Sequence, residues 1–280
     1  MSALLDVDQL RVQFAGKGRR KATEVLHGVS FDIGESETLG LVGESGSGKT
    51  TIGRAVLGLA KVHGGSIRFD GQDITATSQR QRRALAKDIQ VVFQDPYSSL
   101  NPAMAIGDIL SEPIVQQGSS SRDARARVKT LLDQVGLPSD SVDRRPQEFS
   151  GGQRQRIAIA RALAPEPRLI VCDEPVSALD LTTQARVLEL FAEIQERTKV
   201  AYLFISHDLA VVRHISDRVC VLFRGDVVET GVAAQVISHP QHIYTQRLIL
   251  ASPVADPDRQ AERRRARRRL LDQQPTVATA

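Results

Sequence analysis

Residues 38–50 read TLGLVGESGSGKT. The first five form a short apolar run of strand type. Gly43, Glu44, Ser45, Gly46, Ser47, Gly48, Lys49 and Thr50 then fit G-x-x-x-x-G-K-[ST], and a helical pattern runs from Lys49 to about Leu59. A strand, a glycine-rich loop and a helix in this order make a phosphate cradle. The glycines let the backbone curl until its N–H groups face a bound anion. The helix start adds partial positive charge. Lys49 can reach β- and γ-phosphate oxygens, the Thr50 hydroxyl suits a Mg2+ ion, and Thr51 completes the polar set at the helix start.

Outward from this loop the pattern is mixed. LLDVDQLRVQF and VLHGVSFDI precede it, and GSIRFDG and IQVVFQ (89–94) follow it, all as short strands between turns. A mixed sheet is expected. From 103 to 164 the spacing becomes helical. Ile106, Ile109, Leu110 and Ile114 suit one amphipathic helix. Val128, Leu131, Leu132 and Val135 suit a second, stopped by Gly136 and Pro138. Ile157, Ile159, Ala160 and Leu163 suit a third, ended by Pro165. Strand and helix alternate again from RLIVCDE through a helix over 182–197 to VAYLFIS and RVCVLF. The chain therefore divides into a first core part (1–102), a helical insertion (103–164), a second core part (165–235) and a C-terminal extension (236–280) whose polar, Arg-rich end is expected to be disordered.

Two further stretches carry chemistry. In Leu169–Glu174 an apolar strand ends in two adjacent carboxylates, and burying charge without a partner is costly. Asp173 suits a metal held through its water shell, and Glu174 suits a base that takes a proton from an attacking water; a pair of solvated acids at a strand end is the plainer alternative. In FSGGQRQR (149–156) two glycines open a helix over 153–164 with Ser150 as its N-cap. Ser150, Gly151, Gly152 and Gln153 thus form a second phosphate-binding helix start, about a hundred residues from the first.

Ser150-Gly151-Gly152-Gln153 resembles the signature motif of ABC (ATP-binding cassette) ATPases, with Phe149 where that family usually has Leu. The resemblance spans roughly residues 3–250. It implies an α/β fold with the RecA-like core of P-loop NTPases, an antiparallel β subdomain and an inserted helical subdomain. It implies ATP and Mg2+ as ligands. By the same resemblance Gln94 is the glutamine-loop residue that touches Mg2+ or the water, Ser177–Asp180 is the D-loop, and His207 is the switch histidine on the γ-phosphate. Phe14 stands where an aromatic residue stacks on adenine, although it could be a core residue only. Such cassettes work as head-to-tail pairs, so the loop of one chain and the Ser150–Gln153 helix end of the other clamp one ATP. A coupling surface toward a membrane partner is expected near Gln94–Ile114, with Tyr97 and Leu100 as test positions.

VVFQDPYSSLNP (91–102) and DEPVSALD (173–180) are most similar to the dipeptide/oligopeptide importer ATPases, a group that includes nickel importers. His242-Ile243-Tyr244-Thr245 stands where that group has a His-Pro-Tyr-Thr-like motif, with Ile243 replacing the usual Pro. Some relatives bind an iron–sulfur cluster in this extension through cysteines; none is present here, so no cluster is expected. The resemblance implies a second ABC ATPase subunit as partner, in a heterodimer or a homodimer, two transmembrane permeases, and an extracytoplasmic solute-binding protein acting through them. Peptide is the solute favoured. An exporter half, or an ABC ATPase outside transport, is the competing reading.

The bulk properties agree. The 280 residues are 41% hydrophobic, which supplies a substantial core, and no stretch approaches the roughly 18 apolar residues a spanning helix needs. The N-terminus lacks a basic region followed by an apolar run, so no secretory signal is read and a peripheral place on the cytoplasmic face of the cell membrane is expected. Cys172 and Cys220 lie in apolar strands and read as buried free thiols. The net charge of +4 owes much to the arginines of 263–269, without which the chain would be mildly acidic; no nucleic-acid partner is expected. That run reads as a solvated tail or as a contact for anionic lipid headgroups.

Overall fold

Thr38–Val42 forms a strand in which all five residues are buried, so both of its faces must be covered by other elements. The computed structural model describes residues 3–14 and 22–251 and shows what covers them. In chain order the elements are β1 (Leu5–Phe14), β2 (Thr23–Ile33), β3 (Thr38–Val42), α1 (Lys49–Val56), β4 (Val62–Phe69), β5 (Gln72–Asp73), α2 (Gln79–Leu85), β6 (Ile89–Val92) and α3 (Pro96–Ser99). Next come α4 (Ile106–Gln116), α5 (Ser121–Gln134), α6 (Gly151–Leu163), β7 (Leu169–Asp173), α7 (Leu181–Thr198), β8 (Ala201–Ser206) and α8 (Leu209–Ile215). β9 (Arg218–Phe223), β10 (Asp226–Val232), α9 (Ala233–Ser238) and α10 (Ile243–Ala251) complete the described chain.

Two sheets form among the described residues. One is antiparallel, in the order β2-β1-β4-β5. The other runs β10-β9-β3-β8-β7-β6 and is parallel except for the edge strand β10. Between them lies one apolar core, to which β1, β2 and β4 give Leu10, Leu26 and Ile67, the central sheet gives Leu41, Val171 and Ile205, and α1 gives Ile52 and Val56. A second core joins α4, α5, α6 and α7 to the opposite face of β7 and β8, where Phe191 meets Tyr202 and Phe204 edge to face at 5.4 and 5.6 Å. A third lies under α8, α9 and α10. At the N-terminal ends of the central strands two arginines tie the sheets together. Arg168 pairs with Asp70 and Glu35, and Arg218 with Asp32 and Glu37.

Several expectations shift in detail. The helix after the glycine loop ends at Val56 rather than near Leu59, because Gly58 turns the chain at φ +70°. The strand over 89–94 stops at Val92, which frees Phe93 and Gln94 from the ladder. The helix placed at 153–164 starts at Gly151. α2 was not anticipated, although Ser78 and Gln81 close a reciprocal cap at its start. Both cysteines are buried and free, and burial pushes the Cys220 thiol up to about 12. One expectation is corrected. Leu100 is 2% exposed and belongs to the core under the helices, so it cannot lie on a docking surface, whereas Tyr97 is 61% exposed. The arginine run at 263–269 lies outside the described residues.

α2 is held by Arg82. Its guanidinium is half-buried and donates to the carbonyls of Val56 at 2.9 Å and Ile74 at 2.5 Å, capping the C-terminal end of α1. Burial lowers its pKa. Arg82→Met keeps an unbranched apolar stem and loses both bonds, which takes its partner from the Val56 carbonyl and leaves the Ile74 carbonyl with the Thr77 hydroxyl at 3.4 Å. It should cost about 1–3 kcal/mol in urea unfolding, whereas Arg82→Lys should recover part of the loss.

Candidate active site

Parallel strands of matched register end at one edge. Val42 of β3 is opposite Ser206 of β8, Asp173 of β7 is opposite Ile205, and Val92 of β6 is opposite Cys172. The residues that follow are therefore neighbours: the loop 43–48 after β3, His207 after β8, Glu174 after β7 and Gln94 two residues past β6. The carboxyl edge of an open parallel sheet is the general place for a ligand in such folds.

The glycine loop is shaped by what stands behind it. A Cβ on Gly43 would come within 2.1 Å of the Leu222 carbonyl oxygen. Gly48 has φ +109° and lies against Leu26, and Gly46 has φ +80° with open space before it. The Ser47 carbonyl accepts from Gly225 N–H at 2.9 Å, so the turn between β9 and β10 braces the loop. Glu44, Ser45 and Gly46 are exposed, while Ser47 is buried and its hydroxyl has no partner. Lys49 is only 5% exposed, and its ammonium donates to the carbonyls of Gly43 at 2.7 Å and Glu44 at 2.9 Å. Burial lowers its pKa, and the carboxylates of Glu174, Asp173 and Glu44 oppose that. Thr51 is half-buried in the first turn of α1.

Thr50 donates its hydroxyl hydrogen to Asp173 Oδ1 at 2.9 Å. Burial raises the Asp173 pKa, and this bond and the charges of Arg54 and Lys49 act against the rise. Glu174 takes φ +50°, a left-handed conformation that costs a non-glycine residue free energy. It is over-determined there. Its N–H donates to the Ile205 carbonyl at 3.0 Å, and its own carbonyl accepts from the Ser177 hydroxyl at 3.0 Å. The Glu174 side chain is mostly covered and bonds through Oε2 to His207 Nδ1 at 2.9 Å. Gln94 is exposed at the same edge. Phe14, 47% exposed, pairs with Thr23, two residues along β2 from Val25, whose carbonyl borders Gly48.

Ser150–Gln153 form a separate group. Ser150 Oγ accepts from Gln153 N–H at 3.3 Å and Gln153 Oε1 accepts from Ser150 N–H at 2.9 Å, a closed reciprocal cap. A Cβ on Gly152 would come within 2.3 Å of Thr183 Cγ2, while Gly151 faces Leu179 and the Tyr97 hydroxyl. The Arg154 guanidinium lies 3.9 Å from the Tyr97 ring centroid. Asp180 is the N-cap of α7, accepting from Thr183 N at 3.0 Å and Thr183 Oγ1 at 2.7 Å, bonds that hold its carboxyl below the usual range. The structure thus gathers the glycine loop, Thr50, Asp173, Glu174, His207 and Gln94 at one edge, and sets Ser150–Gln153 beside α3 and α7. Sequence reasoning missed the bracing by Leu222 and Gly225, the wall made by Thr183 and the left-handed Glu174. None has a local sequence signal: the bracing and the wall are contacts between distant segments, and the Glu174 conformation is held by the Ile205 carbonyl of β8.

A two-sheet α/β core with a helical subdomain, and a glycine loop aligned with an Asp-Glu strand end, define a nucleotide-binding ATPase cassette. The comparisons agree: the sequence profile of the ABC transporter family matches residues 26–177. The chain belongs to that family, as an ABC transporter ATPase. It is 46% identical over 273 residues to the oligopeptide transport ATP-binding protein OppF of Lactococcus lactis, covering 95% of this chain and 86% of that one. A Brucella ovis protein, provisionally named a peptide import ATP-binding protein, is 51% identical over 246 residues, covering 87% and 78% of the two chains. The glutathione import ATP-binding protein GsiA of Shigella boydii is 50% identical over 248 residues, of which this chain spans 40% of the length. Among solved structures, cbiO1 of Clostridium perfringens, part of the ABC transporter complex cbiONQ, superposes with a TM-score of 0.76 at 28% identity, covering 89% of this chain and 96% of that one. The cassette MJ0796, solved as a dimer in a post-hydrolysis state with ADP and Pi, gives 0.73 at 26% identity, covering 82% and 98%. No helix among the described residues is long and apolar enough to cross a membrane.

Two outcomes follow from the geometry. Gly152→Ala should destabilise the start of α6, and Thr183→Ser, which removes the clashing methyl but keeps the hydroxyl bonded to Asp180, should restore most of the loss; a double-mutant cycle of urea midpoints measures this. Lys49→Met should lose ATP binding in titration calorimetry yet unfold, without nucleotide, at an equal or higher urea concentration. The unfolded chain holds the lysine proton more tightly than the fold does. Stability tied to Lys49 therefore rises with pH just below the ordinary value of 10.5, and the buried charge is a cost at neutral pH.

Proposed function

We propose that this chain is the ATP-hydrolysing motor of an importer for di- or oligopeptides, acting from the cytoplasmic face of the membrane. The observation that carries the catalytic part is the Glu174–His207 pair at the strand edge beside Lys49 and Thr50. In this reading Gly43–Thr51 binds the phosphates, with Lys49 exchanging its two carbonyl partners for phosphate oxygens. Phe14 stacks on adenine. Glu174 accepts a proton from the attacking water as the bond between the γ-phosphorus and its bridging oxygen breaks to give ADP and phosphate. His207 orients the Glu174 carboxylate and faces the γ-phosphate.

The oxygens of Thr50, Asp173 and Gln94 fit a hard cation such as Mg2+, which would offset phosphate charge. The Ser150–Gln153 helix end, with Asp180 beside it on α7, serves the ATP of a second ATPase subunit in a head-to-tail pair. A heterodimer is favoured over a homodimer. Residues 1–102 and 165–235 act as the catalytic core, 103–164 as the signature-bearing lever and 236–280 as an extension. Two permeases dock near Tyr97, and an extracytoplasmic solute-binding protein acts through them. The peptide assignment draws on the relatives named for peptide import and on the 91–102 and 173–180 stretches.

Glu174→Gln should lower ATP turnover by at least about a hundredfold while ATP binding persists, since it removes the proton acceptor. Purified from mild-detergent membranes with ATP, this variant should bring along two permease-like chains and a second ATPase, identified by mass spectrometry. Recovery of soluble partners alone would end the transport reading and leave the ATPase intact.

A further inference from the structure

The C-terminal helix reaches back to the phosphate cradle. Tyr244 in the first turn of α10 is 5% exposed, and its ring lies on Phe223 with centroids 4.2 Å apart. Its hydroxyl oxygen accepts the Glu44 N–H at 2.9 Å, across 200 residues of sequence. The approach to α10 is clamped. Glu229 of β10 accepts from the amides of Gln241 at 2.8 Å and His242 at 3.0 Å, and His242 Nδ1 accepts from the Tyr244 amide at 3.1 Å.

The bonded N–H belongs to the peptide that joins Gly43 to Glu44. The carbonyl of that same peptide is the Gly43 oxygen held by Lys49 at 2.7 Å. A trans peptide is planar, so fixing its N–H fixes its carbonyl. Gly43 has no side chain to hold this plane and the Glu44 side chain is exposed, so apart from Tyr244 the peptide is held through its carbonyl by Lys49, a bond that ATP would take over.

We propose that Tyr244 is a positioning residue for nucleotide binding. Its hydroxyl locks the Gly43–Glu44 peptide plane and so presets the loop and the Lys49 ammonium before ATP arrives. The extension after β10 is on this view a working part of the ATP site. Without the bond only Lys49 holds the plane, and once Lys49 turns to phosphate part of the binding free energy goes into ordering the peptide.

The inference rests on the reading of Gly43–Thr51 as the phosphate cradle, so Lys49→Met serves as the control. In the full chain, Tyr244→Phe keeps the ring on Phe223 and removes only the hydroxyl. It should weaken ATP and ADP binding about three- to tenfold, the scale of one net hydrogen bond. KM for ATP should rise in step with kcat unchanged, the unfolding temperature without nucleotide should stay within about 2 °C, and amide exchange over 43–47 should quicken. Parent-like affinity in Tyr244→Phe, while Lys49→Met fails to bind, overturns the proposal and leaves the cradle standing. A fall in affinity that only tracks a fall in unfolding temperature assigns Tyr244 to general stability and also overturns it. Normal binding by Lys49→Met removes the cradle and the proposal together.

Discussion

The parallel register of β3, β8, β7 and β6 is the constraint on which the rest depends. The loop 43–48, His207, Glu174 and Gln94 each follow the end of one of these strands, so they meet only if the ends are level. A slip of one residue would move a strand by about 3.3 Å and turn its side chains to the other face. Burial on both faces prevents this: every residue of β3 and of β8 is covered, and no slipped pairing keeps the polar ends outside and the apolar run inside. The Thr50–Asp173 bond is the local sign of correct alignment, since it forms only when the start of α1 and the end of β7 meet.

The site that results is held against its own preferences. Lys49 is a buried cation whose bonded partners are carbonyls, Asp173 is a carboxylate in poor solvent, and Glu174 sits in a backbone conformation it would not choose. Each lowers the stability of the empty protein, and each is tolerated because the surrounding cores are large and the loop is braced from behind by Leu222 and Gly225. A polyanionic ligand with its cation would meet these groups with what they lack.

Much of this was legible in the sequence. The glycine loop, the strand with its two acids and the Ser-Gly-Gly helix start are written in short contiguous motifs whose physics is local. The run TLGLV and the helical spacing from 103 to 164 place the core and the insertion for the same reason. What could not be read depends on which distant segments meet. Tyr244 looks like one aromatic residue in a terminal helix until its hydroxyl is found on Glu44. Thr183 shows nothing of its contact with Gly152. Leu100 sits in a polar, proline-flanked stretch that suggests a surface, yet it turns inward to the core shared by α4 and α6. α2 has few apolar residues to reveal it and is secured by its cap and by Arg82.

The start of α6 is already finished in the single chain. Ser150 and Gln153 satisfy one another, Thr183 walls Gly152, and Arg154 is fastened to the Pro146 carbonyl at 2.7 Å. A surface of this kind is already capped and braced in the single chain, so association there would draw chiefly on translational and rotational freedom. In the head-to-tail pair proposed above, such a helix end would be met and released without refolding, which suits an engine that must open as readily as it closes.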